Sequence, residues 1–193
     1  MISNASPLII LAKTDLMKEF LELYSTIEIS PEVCNEAINK GLEAGKQDAQ
    51  ILDALLKEEK IKIVKLNQEY GKTSKKIVEN YKLDKGEAET ISLALQLKNK
   101  EILMDEAMGR KIAKFLNLKP KGTLKILLEL YNKKIISEEQ LRKKVNEVIG
   151  VQFRLDAEVL NKFWELFEKM KTKKWVVTKL LNCNIASTKH ARR

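Results

Sequence analysis

Asn4, Glu36, Glu87, Glu89, Asp105 and Glu106 are the residues whose types and spacing can do chemistry. Asn4 follows a short apolar start, Met1-Ile-Ser3, and Glu36 lies about one helical turn beyond Ile27-Glu-Ile29. Asp105-Glu106 directly follows the apolar run in Glu101-Ile-Leu-Met104, and Glu87 and Glu89 open an amphipathic stretch. Carboxylates gathered in one pocket raise one another's pKa unless a cation is present. A hard divalent cation such as Mg²⁺ or Mn²⁺ takes oxygen ligands and keeps several waters, one of which can be activated to attack a phosphodiester. The lone histidine, His190, supports neither histidine acid–base chemistry nor a His-rich zinc site. Metal-assisted hydrolysis by acids is therefore the chemistry these residues favour. Each acid also has a plain role when taken singly: Glu36 as a solvated helix residue, Glu87 and Glu89 as complements to a helix N-terminus, and Asp105 as an N-cap. Their joint occurrence at strand ends is what points to a site.

Those strand ends follow from local patterns. Ile61-Lys-Ile-Val-Lys-Leu66 joins Met1 to Ser3, Ile27 to Ile29 and Glu101 to Met104 as a strand candidate. Ser6-Pro7 and Ser30-Pro31 each offer a hydroxyl at N-cap and proline at N1, which predicts helices from those points, the second over Glu32 to Asn39. Ala49, Ile51, Leu52, Leu55 and Leu56 have helical spacing. Asp84 caps a predicted amphipathic helix within Leu83 to Leu95, and helices are expected at Arg110 to Leu116, Thr123 to Asn132, Ser137 to Ile149 and Asp156 to Met170. Strands alternating with helices predict an α/β fold with a parallel sheet covered on both faces.

Composition narrows the class. At 193 residues the chain fits one domain with a sizeable core, expected over 1–168, followed by a basic tail at 169–193. The tail carries eight Lys or Arg and no acid, and removing those eight charges from the net +9 leaves +1 for the body. Such a tail can bind phosphates by counterion release or stay solvated. Cys34 and Cys183 form no C-x-x-C pair and read as idle thiols in a reducing compartment. The N-terminus lacks a basic leader, and the longest apolar stretch, Leu8 to Ala12, is far too short for a membrane span. A cytoplasmic protein with no membrane association is expected.

Five segments in order complete the picture: Ser3-Asn-Ala-Ser-Pro-Leu-Ile-Ile-Leu-Ala-Lys13, Ile29-Ser-Pro-Glu-Val-Cys-Asn-Glu36, Gly86-Glu-Ala-Glu-Thr-Ile-Ser-Leu-Ala94, Leu103-Met-Asp-Glu-Ala-Met-Gly-Arg-Lys111 and Gly122-Thr-Leu-Lys-Ile-Leu-Leu128. Together they resemble the signatures of PIN-domain proteins over about residues 1–168. Gly122-Thr-Leu124 and Phe153-Arg-Leu155 resemble more narrowly a toxin-like branch of predicted nucleic-acid-binding domains. The resemblance implies a three-layer α/β/α sandwich and Mg²⁺- or Mn²⁺-dependent cleavage of single-stranded RNA. It assigns catalytic positions to Glu36, Glu87 and Asp105, and a metal set of those three with Asn4, which falls where the family's first Asp usually sits. Ser6, Glu89 and Glu106 fall at supporting positions. Asn4 is a departure, because an amide oxygen can coordinate a hard cation but brings no charge. Arg110 and Lys111 are candidates for contact with RNA phosphate.

Two readings follow. The first is a metal-dependent ribonuclease, the toxin of a toxin–antitoxin pair, with a small antitoxin protein capping the acids. The second is a catalytically weakened PIN-like module that binds RNA or a protein, using the basic tail with Trp164 and Trp175, although Trp164 among Phe163, Leu166 and Phe167 has the setting of a core residue. Homodimerisation is a third expectation, from the surplus apolar positions Leu124, Ile126, Leu127, Leu128 and Leu130.

Overall fold

The computed structural model describes residues 1–151 and 157–172. Phe153-Arg154-Leu155, Trp175, Cys183, His190 and most of the basic tail lie outside the described residues. The chain divides into two compact units, Met1–Gln152 and Phe153–Arg193.

The first unit is α/β. Five short strands, β1 (Ile2–Ser3), β2 (Ile27–Ile29), β3 (Ile61–Ile63), β4 (Glu101–Leu103) and β5 (Lys119–Lys121), form one sheet in the order β3-β2-β1-β4-β5. Every pairing is parallel, with Ile2 opposite Ile102 and Ser3 opposite Leu103 at the centre. Parallel strands need crossover helices. These are α1 (Ala5–Lys13), α2 (Met17–Leu23), α3 (Pro31–Cys34), a π-helical turn (Asn35–Asn39), α4 (Lys40–Glu43), α5 (Gln47–Lys57), α6 (Gln68–Tyr81), α7 (Lys85–Gln96), α8 (Ala107–Phe115), α9 (Thr123–Asn132) and α10 (Glu138–Val151). One core joins Ile2 and Ile102 of the sheet to Ile77 of α6, Ala88 and Ile91 of α7, and Ile112 of α8. Helix α1 packs on α5 and on α9, and Leu8, Leu11, Leu52 and Leu127 of these helices are buried. The result is the expected three-layer sandwich.

Strand order reverses between β1 and β4, and in open α/β sheets the crevice beyond the strand ends at such a reversal is where ligands bind. Asn4 and Asp105-Glu106 leave the sheet there, and Asn4 N–H still bonds Leu103 O at 2.9 Å.

Some local expectations need correction. Helix α1 begins at Ala5 with Asn4 as its N-cap, so Ser6 and Pro7 sit inside the first turn; proline is tolerated because its missing N–H would be unpaired anyway. Ser30, by contrast, caps α3 as expected, its hydroxyl accepting from Val33 N at 3.2 Å. Helix α6 and strand β5 were not foreseen. The buried positions of α6 are only Ser74 and Ile77, too few for a periodic signal. Strand β5 carries Pro120, which a sheet tolerates at an edge. Lys121 anchors that edge: its ammonium donates to Tyr24 Oη at 2.9 Å and Glu129 Oε2 at 3.1 Å, and pairs with Glu101 Oε2 at 3.0 Å. The apolar residues of α9 that hinted at a second copy, Ile126, Leu127, Leu128 and Leu130, are buried within the chain itself.

The second unit contributes a helix over 157–172, in which Trp164 is half-buried and meets Phe163 and Phe167 edge-on at 4.9 and 5.8 Å. No helix among the described residues is long and apolar enough to cross a membrane.

Candidate active site

Asn4 leaves β1 with its side chain buried. Its Nδ2 faces Glu106 Oε2 at 3.4 Å, which turns Oδ1 away, and Oδ1 is buried with no hydrogen-bond partner. Glu106 is the N-cap of α8, and its other oxygen accepts a 2.5 Å hydrogen bond from Ser6 Oγ. Ser6, expected as a cap, is thus drawn off to hold Glu106 across the gap between α1 and α8.

Glu87 enters from α7. Asp84 and Glu87 form a capping box, in which Glu87 Oε2 accepts from Asp84 N at 3.1 Å. Oε1 is left buried without a partner. Room for it exists only because residue 109 is glycine: a Cβ there would stand 2.5 Å from Glu87 Oε1 and 2.5 Å from Met104 Sδ. Gly86 does the same for Glu36, whose Oε2 would lie 2.6 Å from an added Cβ. Glu36 itself rides on the π-helical turn, where one extra residue per turn re-aims side chains and such turns are frequent at functional sites.

Asp105 takes a different direction. Both of its oxygens are engaged by Thr123, Oδ1 accepting from the backbone N–H at 2.7 Å and Oδ2 from the hydroxyl at 2.6 Å. It therefore ties the β4–α8 turn to the first residue of α9, where a carboxylate also complements the helix dipole. A Cβ on Gly122 would meet Asp105 Oδ1 at 3.0 Å and Arg110 Nη1 at 3.1 Å, so the guanidinium lies beside this carboxylate. Lys111, one residue on, is exposed. Glu89 turns toward α3: Oε2 accepts from Glu32 N at 3.2 Å, and Oε1 is 3.9 Å from Lys85, which is ion-paired with Glu32.

Electrostatics follow from these neighbours. Burial raises the pKa of Glu87, and Glu106, Asp84 and Glu36 add to the rise against the Asp84 N–H bond. Burial likewise raises Glu36, reinforced by Glu32, Asp84 and Glu89 and opposed by Lys40. Asp105 is raised by burial and by Glu106, against the two Thr123 bonds and Arg110. Lys85 holds Glu32 below its ordinary value. Burial and neighbouring acids thus push three carboxylates toward their protonated forms, against Lys40 at Glu36 and Arg110 at Asp105.

The arrangement fits a hard divalent ion. Its donors are carboxylate and amide oxygens, and two of them, Asn4 Oδ1 and Glu87 Oε1, are buried and unpartnered, a costly state that a cation would relieve. Among the described residues no three Asp, Glu, His or Cys side chains stand close enough to form a ready chelate. Mutual repulsion and the alternative partners at Ser6, Thr123 and the α7 start account for that spacing. Glu32, Asp84 and Thr123 belong to the neighbourhood although sequence reasoning did not place them there. Asp84 gave only a capping signal, and Thr123 only its place in Gly-Thr-Leu.

The DUF3368 family model, described as a PIN domain, matches residues 1–169. The chain belongs to the PIN-domain family. No curated protein matches it. A PIN domain is a nucleic-acid-binding fold of nuclease type, generally dependent on a divalent metal. In this PIN domain Asn4 and Asp105-Glu106 follow the paired strands β1 and β4, Glu36 comes from the turn after β2 and Glu87 from α7, and the first of the expected acidic positions holds Asn4.

Proposed function

We propose that this PIN domain is an endoribonuclease that uses Mg²⁺ or Mn²⁺ to cut single-stranded RNA, acting as the toxin of a toxin–antitoxin pair whose small partner caps the acids. The observation that carries the reading is the pair of buried, unpartnered oxygens, Asn4 Oδ1 and Glu87 Oε1, amid carboxylates whose pKa values are raised. Asn4, Glu87 and Glu106 would hold the cation most directly, with Glu36 and Asp105 adding negative charge around it. When bound, the cation supplies Lewis acidity and a water of lowered pKa. Ser6 orients Glu106, the Asp84 amide orients Glu87, and Thr123 fixes Asp105 and with it the turn that presents Glu106. Gly86 and Gly109, lacking a Cβ, let the Glu36 and Glu87 carboxylates lie directly against α7 and α8. Arg110 would meet a phosphate by leaving Asp105.

Mn²⁺-dependent cleavage of a labelled single-stranded RNA tests this. Glu87→Gln and Glu106→Gln should each lose at least about 100-fold, and Asp105→Asn, acting through the turn, about 10–100-fold. Undiminished cleavage by Glu87→Gln would sink the reading. A second reading, a weakened binding module, draws on the Asn4 amide that spans to Glu106 where a charged ligand is expected. RNA binding without metal-dependent cleavage, in the wild type and in Asn4→Asp alike, would favour it.

A further inference from the structure

Beside the acids, a groove of about 560 Å³ lies between the start of α3, the segment after β3, helix α6 and the start of α7. Pro31, Leu66 and Val78 give it apolar walls, and Leu66 and Val78 are fixed by packing against the buried core. Lys65 and Lys75 line it, both exposed and neither ion-paired among the described residues. Of its two acids, Glu89 is already engaged by the Glu32 amide and Lys85, leaving Glu79 able to accept a hydrogen bond from an exocyclic amine.

Gly71 supplies an independent observation. It stands within α6, donating its N–H to Asn67 O at 2.8 Å, and a Cβ there would meet nothing within 4 Å. Glycine is among the weakest helix formers, and no close approach of backbone requires it at this place. Its one visible effect is to leave the groove open. The groove also joins the acidic neighbourhood physically: Lys85 and Glu89 line it, and Glu32 and Glu89 both raise the pKa of Glu36.

We propose that the groove seats a base of the single-stranded RNA adjoining the nucleotide that is cut, the base against Leu66, Val78 and Pro31 and the flanking phosphates on Lys65 and Lys75. Apolar walls suit the face of any base, two exposed cations in the lining suit its phosphates, and Glu79 would favour a base with an exocyclic amine. A duplex cannot offer such a base without unpairing it, so the groove confers a preference for single strands. The proposal rests on the ribonuclease reading for its substrate.

The test measures binding of a short fluorescent oligouridylate and oligoadenylate to the full chain in EDTA, where no cleavage occurs. Gly71→Trp fills the groove with a side chain that has room to leave the helix. It should weaken binding at least tenfold with circular dichroism unchanged, and wild-type affinity in that variant overturns the proposal. Lys65→Gln and Lys75→Gln are surface changes that spare the fold, and each should flatten the log–log salt slope by roughly 0.7. An unchanged slope in both overturns it as well, as does equal competition by an anionic peptide of matched charge, which would mark the groove as a protein site. Failure of the ribonuclease reading is seen separately, as undiminished cleavage by Glu87→Gln, and leaves these binding outcomes to decide the groove.

Discussion

Two polar clusters lie beyond the sheet's strands, and they are opposites. At β5, Lys121 is largely buried yet meets Tyr24, Glu101 and Glu129, while Tyr24 Oη donates to Glu129 Oε2 at 2.7 Å and its ring lies 5.4 Å beneath the ammonium. Burial alone would lower the pKa of Lys121, but the hydrogen bonds to Tyr24, Glu101 and Glu129 raise it, and burial takes Tyr24 up to about 12. Every charge there has its counterpart. At β1 and β4 the match is incomplete: Arg110 stands beside Asp105, but Asn4 Oδ1 and Glu87 Oε1 are buried without a hydrogen-bond partner. A closed network specifies structure, whereas an open one stores a demand that a ligand can meet. The contrast suits the first cluster to stability and the second to the proposed function.

The comparison breaks most visibly at Lys121. Lys121→Met should destabilise the fold by about 3 kcal/mol, because it strands Glu101, Glu129 and the tyrosine hydroxyl. Denaturant titration measures this, and cleavage per folded molecule should not change. A smaller effect sharpens the other side. Asn4→Asp adds the missing charge and should tighten Mn²⁺ binding about tenfold, or ~1.4 kcal/mol, by calorimetry. In the same variant the metal-free melting temperature at neutral pH should fall, since another carboxylate joins the repulsion.

The smallest effect is the pH slope. The folded-state pKa of Glu87 lies above its unfolded value, so the folded chain holds that proton more tightly. The stability it contributes is complete below the ordinary glutamate range and is lost as pH rises through the raised value. Without metal, melting temperature should therefore fall as pH rises from the ordinary glutamate range through the raised value, less so in Glu87→Gln, whose amide does not titrate. Mn²⁺ at neutral pH should recover the loss. A wild type and Glu87→Gln with identical slopes would contradict an unmet charge at this position.

Much of the frame was legible in the residues. Ser30-Pro31 and Asp84 announced their helices because caps are local, and four of the strands were visible because their apolar runs end in polar junctions. What escaped notice depends on distant partners. Ser6 looked like a cap until Glu106, 100 residues away, claimed its hydroxyl. Asp105 and Glu106 are adjacent carboxylates in the sequence, and the position of Thr123 decides which faces Asn4. The π-helical turn beneath Glu36 leaves no mark on composition, and α6 hides because its exposed face outweighs its two buried positions.

Glu87 serves two masters with its two oxygens, one bound to the backbone at Asp84 and the other facing the acids. Whatever draws electron density toward the second loosens or tightens the first, so events among the acids are transmitted to the opening turn of α7. The Asp84 amide is consequently expected to serve as a built-in reporter: its hydrogen-exchange rate should change when Mn²⁺ is added to a protein that carries no added probe.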